Sequence, residues 1–164
     1  MLYYNTVNDL LRESLIKLIN AEIFKPFRLV GGTALSLRLG HKNFAYIDHL
    51  KNIDPGLGKS YFIGHSKENI LKLDVFYTDD YIHPAFIEDN IRMATIEEII
   101  AMKLDVIQRG GRKKDFWDLH ELFNSYGIEK MLQLHEQRYP YAHDPKLILK
   151  NFIDFTLADN DFEP

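Results

Sequence analysis

Gly31 and Gly32 mark the stretch of this sequence whose residue types best suit the binding of a phosphate. An apolar run over residues 27–30 precedes them and predicts a buried strand. A leucine-rich short helix is predicted to follow, with Thr33 as a candidate N-cap and Gly40 as its end. Glycines let the backbone come close to a ligand, and the N–H groups of a first helical turn point towards an anion. The same pattern also occurs in strand-to-helix turns that bind nothing.

Two charged residues are predicted to point inward from consecutive helices. Thr95 and Glu98 form a capping-box pattern that begins the first helix, and Lys103 falls in the centre of its apolar stripe. Asp115 projects close to the apolar face of the next helix. An ammonium in an apolar stripe costs several kcal/mol unless it is paired or reaches water. The pattern therefore places Lys103 at a solvent-exposed end of the apolar stripe or opposite an anion. An ion pair with Asp115 that has only a structural role is the alternative.

Asp74 is a carboxylate in the middle of a strongly apolar segment, residues 69–77, which is predicted to be a strand. The alternation of side chains puts Lys72 and Asp74 on one face of that strand. The neighbouring lysine favours an ordinary exposed strand face as the explanation for the charge.

Helices and strands must position these groups, and hydrophobic periodicity predicts most of them. Helices are expected over residues 7–24, 95–108, 115–126, 128–138 and 146–157, and strands over residues 59–63 and 69–77. Gly127 is expected to separate two of the helices. The order of elements predicts one domain over residues 1–164. It comprises a sheet-containing part (1–92), a helical part (93–157) and an acidic tail (158–164).

Composition excludes several classes of protein. The chain has 164 residues, a formal net charge of −4 and no cysteine, so disulfide frameworks and thiolate metal sites are excluded. No global positive field would recruit nucleic acid. No apolar run approaches the roughly 18 residues needed to span a bilayer, and no signal peptide is visible. A cytoplasmic protein without a membrane partner is therefore expected.

Several short motifs, taken in order, carry a resemblance to a known family. These motifs are Leu29–Leu35, Gly40-His41, Lys72–Phe76, Ala101–Leu104 and Lys113–Leu119. Over roughly residues 20–140, the chain resembles the AbiEii/AbiGii toxin family of nucleotidyltransferase-fold proteins. The resemblance implies an α+β fold with a nucleotidyltransferase-like small mixed sheet, flanking helices and a mostly helical C-terminal part.

The resemblance also implies an activity and a set of site residues. It implies an NTP bound with Mg²⁺, transfer of a nucleotidyl group, and a toxin role beside an antitoxin protein in phage defence. The acceptor stays open among tRNA, protein and a small molecule. Gly31, Gly32 and Thr33 match the family's phosphate-side turn, and Asp74 matches a metal-binding carboxylate. Lys103 and Asp115 match residues that would contact the nucleotide or orient the site.

The sequence departs from the family pattern after Gly40-His41, where an Asp-x-Asp metal pair is expected. One alignment makes Asp48 the second aspartate of the pair, with Tyr46 in place of the first. The alignment that we favour places this segment beyond the motif, so that the pair is absent. Either the protein carries a deletion, or the sequence omits a segment near Phe44.

We therefore expect a nucleotidyltransferase-like toxin, with a catalytically impaired nucleotide-binding or protein-interaction module as the alternative. Gly31, Gly32, Asp74, Lys103 and Asp115 are predicted to converge on one cleft. We expect Lys103→Met to abolish nucleotide binding and leave the fold intact, because the ammonium would face a phosphate in that cleft. If Lys103 only pairs with Asp115, the same change should cost about 3–5 kcal/mol of stability.

Overall fold

The computed structural model describes residues 1–40, 58–66 and 69–161 of the chain. The expectations for His41, Tyr46, Asp48 and a join near Phe44 lie outside the described residues.

The first helix, α1 (Asp9–Asn20), begins at a side-chain cap. The Asn8 carboxamide oxygen accepts a hydrogen bond from the Leu11 N–H at 2.8 Å, as expected of an N-cap asparagine. The helix buries Leu15 and Ile19. It ends earlier than periodicity predicts, because a separate 3-10 turn covers Glu22–Phe24.

The second helix, α2 (Gly31–Leu39), begins at Gly31, so the prediction that Thr33 caps it is wrong. Val30 is the N-cap residue in extended conformation, and no side chain caps the helix. Gly31, with φ of 71°, turns the chain from Val30 directly into the helix, a conformation that glycine adopts at little cost. Gly40 ends the helix in the left-handed conformation, as predicted.

Two small antiparallel sheets lie in the described parts of the chain. Strands β1 (Gly58–Ser66) and β2 (Asn69–Phe76) pair as a hairpin, close to the predicted bounds. Strands β3 (Phe86–Glu88) and β4 (Ile91–Met93) form the other sheet. The strand predicted over residues 27–30 is reduced to a single parallel bridge between Leu29 and Met93.

Three α-helices follow β4 in the described residues: α3 (Ile96–Gln108), α4 (Lys113–Arg138) and α5 (Pro145–Phe152). Thr95 caps α3 as predicted, with its hydroxyl 3.3 Å from the Glu98 N–H. Gly127 has non-helical dihedral angles and divides α4 into two helical segments, as predicted. The last helix stops at Phe152, five residues before its predicted end.

The core lies where α3 packs against α4, with α2 contacting both helices and α5 lying on α3. Its fully buried large apolar side chains include Leu35, Leu37, Ile99, Ile100, Leu104, Ile107, Leu119, Met131 and Ile148. The α+β class predicted from the sequence is confirmed. In the described ranges, no helix has both the length and the apolar character needed to cross a membrane.

Candidate functional site

Lys103 of α3 is held between two carboxylates of α4. Its Nζ atom lies 2.7 Å from Asp115 Oδ1, and it forms a second ion pair with Asp118. The Lys103 side chain is 8% exposed, and both aspartate side chains are 2% exposed. The prediction that Lys103 and Asp115 point inward is confirmed. Asp118 was missed, although its spacing of three residues from Asp115 puts both carboxylates on one face of a helix.

Arg112 completes the charge balance of this cluster. Its Nε atom lies 2.9 Å from Asp115 Oδ2, so both oxygens of this carboxylate have cationic partners. Burial alone would raise the pKa of Asp115, but Lys103 and Arg112 outweigh it and hold that pKa below its usual value. Asp115 is therefore ionised at neutral pH, which suits it to orient a cation and not to donate a proton.

Asp74 makes its contacts within the hairpin. Its Oδ1 atom accepts a hydrogen bond from the Ser60 hydroxyl at 2.6 Å and lies 3.2 Å from Lys72 Nζ. Ser60 stands directly opposite Asp74 in the strand register. The Asp74 side chain is 39% exposed, which agrees with an ordinary exposed strand face.

The glycine turn leaves room for a ligand at the start of α2. A Cβ atom built on Gly31 would meet nothing within 4 Å. Helix α2 packs on the two helices that carry Lys103 and Asp115. The convergence of Gly31, Gly32, Asp74, Lys103 and Asp115 on one cleft stays a prediction.

A metal centre is not formed by the part of the chain that the structure describes. Within residues 1–40, 58–66 and 69–161, no three His, Asp or Glu side chains are arranged to hold a metal ion. Asp74 is engaged by Ser60 and Lys72, and Asp115 by Lys103 and Arg112. Asp48, the other proposed ligand, lies outside the described residues. These residues alone therefore do not fit a Mg²⁺ site.

Sequence reasoning missed a buried ion pair between Glu98 and Arg138, both of whose side chains are completely buried. Glu98 Oε1 also accepts a hydrogen bond from the His83 N–H at 2.9 Å. The Glu98 carboxylate therefore serves these partners, and only the Thr95 half of the predicted capping box is seen. The partners are 40 residues apart in the chain, and no periodic signal links them.

The segment 78–83, which follows β2, is fixed from two sides. Arg138 donates to Thr78 Oγ1 at 2.9 Å and to the Asp79 carbonyl at 3.1 Å. Arg28, close before the glycine turn, donates to the His83 carbonyl at 2.7 Å and lies 4.1 Å from the Tyr81 ring centroid. The strand that carries Asp74 is thus followed by a segment bonded to both the glycine-turn region and α4.

Comparisons with known proteins agree with this description. The family model described as "Nucleotidyl transferase AbiEii toxin, Type IV TA system" matches residues 57–164, about two thirds of the chain. The match includes Asp74, Lys103 and Asp115 and begins after the glycine turn.

Sequence relatives add little about activity. An uncharacterised protein of Aquifex aeolicus, aq_aa25, is 29% identical in an alignment that covers 88% of this chain and 81% of that protein. No solved structure matches. Since the family match spans well over half of the sequence, the chain belongs to the AbiEii nucleotidyl transferase toxin family.

Proposed function

We propose that the chain is a toxin-type nucleotidyltransferase that binds an NTP at Gly31, Gly32 and Thr33 and transfers its nucleotidyl group to an acceptor. The observation that carries the proposal is the position of α2. This helix begins at two glycines without a side-chain cap, and it packs on the helices that carry Lys103 and Asp115. Family membership supports the same reaction class.

The start of α2 supplies the phosphate-binding part of the proposal. A helix N-terminus carries a partial positive charge and presents backbone N–H groups to an anion. The open space beside Gly31 would admit a phosphate oxygen close to the backbone. Thr33, now placed in the first turn of α2, adds a hydroxyl that can donate a hydrogen bond to the same group.

Lys103 and Asp115 supply the second part. With its carboxylate partners in place, the Lys103 ammonium keeps its direction without a ligand. Asp115 acts as a positioning residue for Lys103, and Arg112 is the more exposed cation of the cluster. Mg²⁺ is expected from the family. Because the described residues alone do not fit a metal site, the roles proposed for Lys103, Asp115 and Arg112 do not depend on the ion.

Partners follow from the toxin assignment. We propose a cognate antitoxin protein and an acceptor that is either tRNA or protein, in a cytoplasmic setting.

The pairing of Asp74 with Lys72 and Ser60 favours the second candidate function, a catalytically impaired nucleotide-binding or protein-interaction module.

Nucleotide binding can be tested with two glycine variants. Gly31→Ala and Gly127→Ala each put a Cβ into open space at a positive φ, 71° and 64° respectively, so both substitutions strain the backbone without creating a clash. Only Gly31→Ala is expected to weaken the thermal stabilisation by NTP with Mg²⁺. If both variants lost the thermal stabilisation by NTP equally, or if NTP did not stabilise the native chain, the result would support a protein-interaction module instead.

Transfer can be tested with α-labelled NTPs, total tRNA and protein acceptors, with and without Mg²⁺. We expect the native chain to incorporate label into an acceptor. Asp74→Asn should lower this incorporation. Asp80→Asn should preserve it, because Asp80 is an exposed carboxylate beyond the strand. NTP binding without incorporation of label would support the impaired module instead.

A further inference from the structure

We propose that His135 and His143 form a hydrogen-bonded pair, the latch, which fastens the chain before α5 to α4 and opens in acid. His135 Nδ1 lies 2.9 Å from His143 Nδ1, a hydrogen-bond distance, and the ring centroids are 5.1 Å apart. His135 is fully buried in α4, whereas His143 is partly exposed in the connection to α5. The proposal concerns residues outside the proposed nucleotide site and does not depend on that function.

The short contact limits how many protons the two rings can hold. Of the two facing Nδ1 atoms, one must carry a hydrogen and the other must accept it. His135 Nε2 lies 3.8 Å from Asp105 Oδ1, too far for a hydrogen bond but close enough for attraction. This carboxylate favours a proton on His135 Nε2. In the uncharged pair, His143 therefore donates from Nδ1 to His135.

The closed latch accepts one further proton but not two. After one proton is added, one of the two Nδ1 atoms still carries no hydrogen and can accept the hydrogen bond, so the contact persists. A second would place two N–H groups and two positive charges face to face, and the contact must then break. Burial and the His135 charge both lower the pKa of His143, consistent with this limit.

The other charged and titratable groups around the pair come from three elements. Arg109, the residue that follows α3, binds Asp105 Oδ2 at 2.6 Å and shares that carboxylate with His135. Tyr139 has its ring centroid 5.2 Å from that of His135. Glu136 and Asp144 raise the pKa of His143, but burial and the His135 charge lower it by more. The local charges therefore do not offset the repulsion between two protonated rings.

Contacts next to the latch tie α5 to α3. The Gln108 side chain donates to the Ala142 carbonyl at 2.8 Å and accepts from the Asp144 N–H at 3.0 Å. Asp144 is the N-cap of α5, and Asn151 of α5 donates to the Gln108 carbonyl at 2.8 Å. Opening of the latch would loosen these hydrogen bonds and expose Ile148. This side chain is completely buried while the latch is closed.

Proton linkage sets the size of the effect. Below the ordinary histidine pKa of about 6.5, the open state binds two protons on these rings and the closed state binds one. The equilibrium constant for opening should therefore rise up to about tenfold for each pH unit below that value. Acid opens the latch because the open state binds more protons.

Hydrogen exchange of the full chain tests the proposal. Amide protection in α5, corrected for the intrinsic effect of pH, should fall up to about tenfold per unit from about pH 6.5 to 5.5. In His143→Gln the fall should vanish, because glutamine takes no proton but its amide can still bond to His135. His120→Gln is the matched control, since His120 is an exposed histidine of α4, and it should behave as the native chain does.

Two results would overturn the latch. One is a loss of protection in His143→Gln equal to that of the native chain, and the other is pH-independent protection of native α5. If His143→Gln does not fold, imidazole ¹⁵N spectra of the native protein decide. Coupled titration, with the pKa of one ring lowered, supports the latch, whereas independent titration of both rings near pH 6.5 contradicts it.

Discussion

The Lys103 ammonium and the Asp115 carboxylate lie 2.7 Å apart on the buried side of the α3–α4 contact. Asp118 engages the same ammonium, so one cation of α3 is matched by two anions of α4. Charges taken out of water in this way are tolerated only while their partners are present. The pair therefore links the stability of the helical part to a proposed nucleotide contact.

Replacing Lys103 by Met should lower the free energy of unfolding by about 3–5 kcal/mol, because Asp115 and Asp118 would stay buried without the ammonium between them. Urea unfolding followed by circular dichroism measures this loss. Lys130→Met, an exposed change in the same helix as the aspartates, should stay within about 0.5 kcal/mol of the native chain. A Lys103→Met protein as stable as the native chain would contradict this expectation, and unchanged NTP affinity in its folded fraction would contradict the proposed nucleotide contact.

Asp115 should stabilise the fold in a pH-dependent way. Its pKa in the folded state is lowered from an unfolded value of about 3.9, so its contribution is complete above that pH and is lost as the pH falls through the folded pKa. The difference in unfolding free energy between the native chain and Asp115→Asn should therefore be largest above about pH 4 and shrink in stronger acid. A difference that does not change with acidification would contradict this.

The Glu98–Arg138 pair should show strong coupling in a double-mutant cycle. Arg138→Met leaves the Glu98 carboxylate buried and should cost about 3–5 kcal/mol. Adding Glu98→Gln should recover part of this loss, because no unpaired charge then remains. The exposed pair Lys25–Glu22 serves as the reference cycle, with a coupling below about 1 kcal/mol. Similar coupling energies in the two cycles would mean that Glu98 is not buried in solution.

Tyr126 should ionise late in alkali. Burial and the hydrogen bond from its hydroxyl to Glu97 Oε1, 2.7 Å long, raise the pKa of Tyr126 to about 12. A group with a raised folded pKa stabilises the protein below its unfolded value of about 10, and this contribution is lost as the pH rises towards 12. Tyrosine ¹³Cζ shifts, assigned with Tyr126→Phe, measure the titration. Glu97→Gln should lower the pKa of Tyr126, and an unchanged value would count against the stated cause.

Local chemistry made the ends and orientations of several helices predictable. Asn8 and Thr95 cap helices where their side chains can reach a backbone N–H, and Gly40 and Gly127 end helical segments. Each of these signals acts within about one turn, so neighbouring residues suffice to read it.

Thr33 shows how a local signal fails when two neighbours compete. Gly31 could adopt a positive φ and so start the helix two residues before the preferred capping residue. The predicted strand over residues 27–30 was reduced to the Leu29–Met93 bridge, because strand formation needs a partner elsewhere in the chain.

The amino-acid sequence by itself determined that Lys103 and Asp115 face the interior, since a 3.6-residue period fixes which side of a helix each residue occupies. Only the tertiary structure decided that Asp118 shares the ammonium and that Glu98 bonds Arg138 in place of completing its capping box. The physical reason is that a buried charge must find its counter-charge in space. The folded packing brings such partners together from positions that no local pattern connects.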